Sequence, residues 1–267
     1  MNSSSMKASY LQMPAGFDLR ALPLVGSTND VAREEAMKYP PTSVGNVVFW
    51  AEAQTGGRGR RGRSWASPEG NLYSSILVQD VGDLATAAQL SFVTAISMRA
   101  AISRFTPKNQ NVECKWPNDI LVDGAKICGI LLECGVNKTG QNWVVIGAGA
   151  NVSHHPSETP YEVAHIKQFN KDIEPYMLLN AYLEEFAQFF QIWKLNGFKE
   201  IREIWLQNCY GFGKNIVARL ANNLEEHGRF LDMDEEGALI LEREDLSRVA
   251  ITAGDVFLKG CGDAARN

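Results

Sequence analysis

Four short strand-like runs between residues 112 and 151, separated by tight turn signals, constrain the fold of this chain more than any other feature of it. Val112 to Trp116, Ile120 to Val122, Lys126 to Cys134 and Trp143 to Asn151 are rich in β-branched and other apolar residues, and Asp123-Gly124 and Thr139-Gly140 mark sharp reversals between them. Runs joined this way predict a mixed, largely antiparallel sheet. Val47 to Ala53 and Leu72 to Val78 read as two more strands. A helix is expected from Thr28 to Lys38, capped by Ser27, Thr28 or Asn29 and closed before Pro40 and Pro41. Leu84 to Phe105 carries apolar residues at three- and four-residue steps, an amphipathic helix that should lie against the sheet.

A second helical region starts at Pro175 and runs to about Asn208, interrupted near Asn196-Gly197. Its stripe of Leu179, Leu183, Phe186, Phe190 and Trp193 reads as core. Beyond a boundary near Gly211 to Gly213 the pattern shortens to Ile216–Leu220, Arg229–Met233, Ala238–Leu241 and Val249–Ile251, with turns expected at His227-Gly228 and Glu236-Gly237. A small SH3-like β-barrel fits runs of this length. The expected organisation is a flexible N-terminus over residues 1–20, with Asn2 to Ser9 a frayed end, an α+β domain over 21–211, and the small domain over 212–267.

With 267 residues, 45% of them hydrophobic, the chain can bury one large core and one small one. Its formal charge of -5, from 31 acidic and 26 basic residues, provides no global attraction to a polyanion, so neither DNA nor RNA is an expected partner. Cys114, Cys128, Cys134, Cys209 and Cys261 form no C-x-x-C pair, which suggests reduced structural thiols and a cytoplasmic protein. Ionisable residues interrupt every apolar stretch before the about 18 residues that a membrane span needs, so no membrane association is expected.

Three stretches carry chemistry. Gly56-Gly57-Arg58-Gly59-Arg60-Arg61-Gly62-Arg63-Ser64-Trp65 is either an anion-clamping loop, with guanidinium forks on a backbone that can approach its ligand, or a solvated basic turn. Four arginines so close repel one another, which implies a loop that orders on an anion. Gly57, Gly59 and Gly62 also satisfy the dinucleotide fingerprint G-x-G-x-x-G, but Pro68 and Gly70 follow where that motif needs a helix. Lys115-Trp116-Pro117-Asn118-Asp119 presents a lysine, an amide and a carboxylate, with Asp119 a candidate Mg²⁺ or nucleotide contact, or else forms a plain turn. Lys126 alone reads as a surface charge. Gly147-Ala148-Gly149-Ala150-Asn151 is a strand end where something approaches the backbone closely, whether a ligand or another strand. His154 and His155, adjacent on a strand, would point to opposite faces and so make a poor metal pair.

Each stretch is weak alone, but their order and spacing from Ser27-Thr28-Asn29 through Gln54, the Gly/Arg run, Lys115–Asp119 and Lys126-Ile127-Cys128-Gly129-Ile130-Leu131 to Asn151 closely resemble the biotin protein ligase family. The terminal small domain is also similar to that family's. The resemblance implies a mixed β-sheet backed by helices, the biotin/lipoate ligase fold related to class II synthetases. It implies an ATP-dependent ligase that forms biotinyl-5'-AMP and passes biotin to a lysine of a biotin carboxyl carrier protein domain, with Mg²⁺, as a monomer or homodimer. A lipoate or octanoate ligase or transferase of the same fold is the alternative. Carried over by position, Ser27, Thr28, Asn29, Gln54, Arg58, Gly59, Arg60 and Lys126 would bind biotin, and Arg58, Arg60, Arg63, Trp65, Asn118, Asp119, Lys126 and Asn151 would bind the nucleotide. Lys126 and Arg60 would be catalytic and Asp119 the metal contact. With 26 residues before Ser27, the winged helix-turn-helix of the family's repressor members is not expected.

Overall fold

The computed structural model describes residues 10–38, 45–79, 81–220 and 224–258; Asn2 to Ser9 and Cys261 lie outside them. Seven strands form one sheet: β1 (Phe17–Val25), β2 (Asn46–Gln54), β3 (Leu72–Gln79), β4 (Val112–Lys115), β5 (Asp119–Val122), β6 (Ala125–Val136) and β7 (Asn142–Ala150), in the order β1-β2-β3-β7-β6-β5-β4. Only β1 and β2 are parallel neighbours, which the crossover helix α1 (Thr28–Ala36) between them requires. The other neighbours are antiparallel. Asp123 and Gly124 both take positive φ, 47° and 85°, the mirror-image turn whose twist matches a β5–β6 hairpin.

Alternation along the strands sorts the core into two layers. Val47, Phe49, Leu77 and Val145 pack with Ala32 and Ala36 of α1 on one face. Their neighbours Val48, Trp50, Ile76, Val78, Val144 and Ile146 point the other way into the main core. Covering both faces explains why these strands read as continuous apolar runs. The main core is closed by α3 (Leu90–Ser103), α4 (Pro175–Asn196) and α5 (Phe198–Gln207), with α2 (Leu84–Ala87) a single turn before α3. The helix expected over Leu84 to Phe105 is thus divided, and α3 is buried around most of its circumference because it lies between the sheet and both α4 and α5. Gly197, at φ 74°, breaks α4 from α5 where the interruption was expected. No helix among the described residues is long and apolar enough to cross a membrane.

A second sheet holds β8 (Asn215–Arg219), β9 (Glu225–Met233), β10 (Leu239–Glu242), β11 (Arg248–Ile251) and β12 (Asp255–Leu258), all neighbours antiparallel, in the order β11-β10-β9-β8-β12. Among the described residues β11 and β12 are the two ends of this five-stranded antiparallel sheet and do not pair, an arrangement consistent with the SH3-like unit expected. Trp205 of α5 docks it: the buried indole meets Phe92 edge-on at 5.6 Å and lies 6.5 Å from Phe230. Burying an aromatic of this size contributes about 3 kcal/mol.

Three further expectations are corrected. Residues 17–20 of the N-terminal stretch expected to be flexible are paired in β1 with β2. Gly228 lies inside β9 and not in a turn, because a side chain there would meet Glu242 O at 2.7 Å; the glycine marks close backbone approach. His154 and His155 lie past the end of β7, so strand geometry does not govern them.

Candidate active site

The edges of β2, β3, β6 and β7 and the loop after β2 enclose one cavity. It is lined by Ser27, Thr28, Asn29, Gln54, Arg58, Gly59, Arg60, Arg63, Trp65, Asn118, Asp119 and Lys126, with Tyr73, Ser74, Tyr161 and Asp255 among the others. Of the residues that the resemblance assigned to biotin or nucleotide, Asn151 alone is not among the lining; Lys115 and Arg61 of the motifs also lie outside it. The buried Asn151 amide donates to Ala164 O at 3.0 Å and its backbone bonds Ile127 and Ile166, so it ties the loop after β7 to the sheet.

The start of α1 builds a polar network of neutral side chains that ends on the Glu133 carboxylate. Thr28 N–H donates to Gln54 Oε1 at 2.8 Å, and Gln54 Nε2 donates to Ser67 Oγ at 3.1 Å. Buried Ser75 lies 2.7 Å from Thr28 Oγ1 and donates to Asn29 Oδ1 at 2.6 Å, while Asn29 Nδ2 donates to Glu133 Oε2 at 2.7 Å. Ser27 takes the extended N-cap conformation, yet its hydroxyl makes no cap bond. Gly147 makes room for this network, since a Cβ there would come within 2.3 Å of Asn29 Oδ1. Gly129 and Gly149, paired across β6 and β7, do the same for Trp65: Cβ atoms on them would reach its ring at 3.1 and 2.7 Å. The close approach signalled by the glycine-rich strand end is therefore by side chains of this chain. Trp65 Nε1 and Ser74 Oγ are buried at the cavity without a hydrogen-bond partner among the described residues, two polar groups that a ligand can satisfy.

Charge gathers beside that network. After Gly62 the chain passes through irregular backbone and a turn at Glu69-Gly70 into β3 with no helix, so the dinucleotide motif lacks the helix it needs. The four arginines are not left to repel one another. Arg58 grips Asp30 with both amino groups, at 2.6 and 2.8 Å, and stands 3.7 Å from Glu133; Arg61 and Arg63 reach Asp255 at 3.7 and 3.1 Å. The Arg58 bond holds the Asp30 carboxyl below the usual carboxylate range, and Asp30 in turn raises Arg58. Arg60 differs: among the described residues its guanidinium bonds Asn118 Oδ1 at 3.2 Å and Gly254 O at 3.4 Å and no carboxylate, and burial pulls its pKa down. A half-buried cation offered two neutral oxygens is set to accept an anion.

Lys126 was read alone as a surface charge, but its side chain is 18% exposed and its Nζ lies 2.7 Å from Asp119 Oδ1. Asp119 is a lone carboxylate, and among the described residues no three His, Cys, Asp or Glu side chains are grouped to hold a metal. It fits only a magnesium that arrives on phosphates and keeps most of its ligands from them and from water. The cysteines stand aside from this chemistry: burial pushes the thiol of Cys209 up to about 12 and those of Cys114 and Cys128 higher still.

Sequence reasoning missed Asp30, Glu133, Ser74, Tyr161 and Asp255. Asp30 and Glu133 carry no local signal beyond being ordinary helix and strand acids, and Asp255 stands at the start of β12, a strand absent from the expected pattern.

Comparison with known proteins agrees with this geometry. Residues 21–151 match the model of the Biotin/lipoate A/B protein ligase family, and residues 211–259 match the Biotin protein ligase C terminal domain. The chain is 34% identical over 237 residues to the biotin–[acetyl-CoA-carboxylase] ligase of Paracoccus denitrificans, covering 86% of this chain and 98% of that one. It is 31% identical over 228 residues to the bifunctional ligase/repressor BirA of Bacillus subtilis, covering 83% of this chain and 68% of the relative. The biotin protein ligase from Aquifex aeolicus, solved in complex with biotin and ATP, superposes with a TM-score of 0.73 at 25% identity over 90% of this chain and 98% of that one. A shared fold, a shared pair of domains and near-complete coverage of a ligase relative place this chain in the biotin protein ligase family.

Proposed function

We propose that this cavity joins the carboxylate of biotin to the α-phosphate of ATP and then passes the biotinyl group to a lysine of a carboxylase carrier domain. The observation that carries the reading is one cavity in which the neutral Ser27–Thr28–Asn29–Gln54 network adjoins Lys126, Arg58 and Arg60. A cyclic urea needs neutral donors and acceptors, and an acyl phosphate needs cations. A carboxylate is a poor electrophile, so its oxygen first attacks the α-phosphorus and pyrophosphate leaves; the carrier amine then attacks the acyl carbon and AMP leaves. Negative charge grows on phosphate and carbonyl oxygens in both steps, where fixed cations act most strongly. Lys126 faces the reacting carboxylate and phosphate, Arg58 and Arg60 close over them, and Trp65, Arg63 and Asn118 flank the nucleotide. Asp119 meets the magnesium that accompanies ATP.

The cavity holds about 120 Å³, against the roughly 300–1,000 Å³ of ordinary small-molecule sites. The arginine segment from Arg58 to Arg63 therefore lifts to admit the ligands, exchanging protein carboxylates for theirs, while Trp65 stays against the sheet. Mass spectrometry of a carrier domain incubated with the protein, biotin and MgATP is expected to show one added biotinyl group on one lysine, and pyrophosphate release without carrier is expected to depend on biotin. Release that appears only with lipoate or octanoate refutes the assignment.

Gly147→Ala tests the urea side of the site. Its methyl group must displace Asn29, and losing one or two hydrogen bonds of about 1 kcal/mol each corresponds to a rise in KM for biotin of about tenfold. The KM for ATP should change little. Equal rises in both would detach the Asn29 network from biotin.

A further inference from the structure

We propose that Tyr161 is a positioning residue for Lys126, closing an aromatic cage that holds the ammonium at the reacting atoms; this rests on the function proposed above. Lys126 Nζ lies 5.5 Å from the centroid of the Trp65 ring and 5.6 Å from that of Tyr161, with Asp119 at 2.7 Å. Two ring faces and one carboxylate thus surround a single cation. Ring quadrupoles attract an ammonium most strongly where water is scarce, and Lys126 is 18% exposed.

The two walls of the cage are built differently. Trp65 is immobilised against Gly129 and Gly149. Tyr161 is 42% exposed and stands on the loop between β7 and α4. That loop is stitched to the lysine's own backbone: Lys126 N–H donates to Glu162 O at 2.8 Å and Ala164 N–H donates to Lys126 O at 2.9 Å. Strand and loop therefore carry ammonium and ring together, and the next residue but one, Val163, is the bridge partner of Lys126.

The rings matter because Asp119 has two duties. A carboxylate that also meets magnesium cannot neutralise the lysine fully in both situations. Ring faces keep the ammonium in place without forming a competing ion pair, so its charge stays available to the acyl phosphate. A second carboxylate at the position of Tyr161 would draw the lysine away from the substrate.

The test uses the full chain with Tyr161→Phe and Tyr161→Leu. Phenylalanine keeps the ring face and is expected to recover most of the wild-type rate of biotin-dependent pyrophosphate release. Leucine keeps bulk without the quadrupole and should lower kcat by about tenfold, with both KM values within about threefold of wild type and an unchanged melting temperature. A second readout needs no activity: limiting acetic anhydride, with the acetylation of Lys126 quantified by mass spectrometry in the ligand-free protein. Leucine should speed that acetylation several-fold and phenylalanine should not. A rise in KM for ATP at unchanged kcat would make Tyr161 a nucleotide contact only, and equal losses in both variants would assign the effect to the hydroxyl; either overturns the cage, as does Lys126 labelling that is the same in all three proteins. If wild type releases no pyrophosphate with biotin, the proposed function fails, while the acetylation comparison still decides the cage.

Discussion

Lys126→Ala is expected to lower biotin-dependent pyrophosphate release by about a thousandfold while the protein remains folded. The expectation follows from where charge develops. Before reaction the ammonium faces Asp119 at 2.7 Å between two rings, and in the proposed reaction it would face oxygens whose negative charge is growing. A fixed charge aimed at such oxygens is worth about 10²–10³ in rate, the larger figure applying where water is excluded. The effect on stability is smaller because the pair is neither fully buried nor fully exposed. Removing the lysine leaves Asp119 facing aromatic surface, a cost of about 1–3 kcal/mol, between the values for exposed and buried pairs. For a chain of this size that lowers the melting temperature by several degrees, at about 2–4 °C per kcal/mol. Melting and pyrophosphate release measured on the same sample decide the matter: parallel loss of both would make Lys126 a structural residue.

Arg60→Gly should release the activated intermediate into solution, raising biotin labelling of a bystander such as albumin by about tenfold or more at equal adenylate production. Arg58, Arg61 and Arg63 already have carboxylate partners in Asp30, Glu133 and Asp255. Among the described residues Arg60 bonds the oxygens of Asn118 and Gly254, one from the large sheet unit and one from the small one, and no carboxylate. It is the loop cation with most to gain from the adenylate phosphate, and losing one charge-assisted bond of about 1.5–3 kcal/mol speeds escape by roughly ten- to a hundredfold. Glycine leaves the loop backbone free to close, so formation of the adenylate should suffer less than its retention. The measurement compares bystander labelling by variant and wild type after matching pyrophosphate release. Unchanged labelling would show that Arg60 does not retain the intermediate.

The parts of this protein legible in the sequence are those in which local chemistry has one solution. Asp123-Gly124 makes a tight hairpin because two successive positive φ angles are tolerated there, and Gly197 stops α4 because a glycine takes the single positive φ that ends a helix. Apolar runs bounded by such turns become strands, and the Gly/Arg run cannot continue as a helix past Pro68. The ordered motifs from Ser27 to Lys126 could be gathered by resemblance, and the structure lines one cavity with them.

Other features depended on partners remote in the chain. Strand β1 is a nine-residue segment of mixed polarity that no period marks, and it exists because β2 offers it a parallel edge. The small C-terminal sheet has an end strand, β12, that the sequence pattern did not mark, and this strand delivers Asp255 to arginines some 190 residues earlier in sequence. Asn151 looked like a ligand contact and is an internal stitch, since burial leaves its amide no choice but a backbone carbonyl. Sequence alone determined the Asp123-Gly124 and Thr139-Gly140 turns, the strands beside them and the order of the charged motifs, because each depends on neighbours within a few residues. The tertiary structure alone decided which charges are already paired and which remain for a ligand, because Coulomb interactions follow distance in space, and residues 28, 58, 126 and 255 line one cavity only once helix, loop and both sheets are packed together.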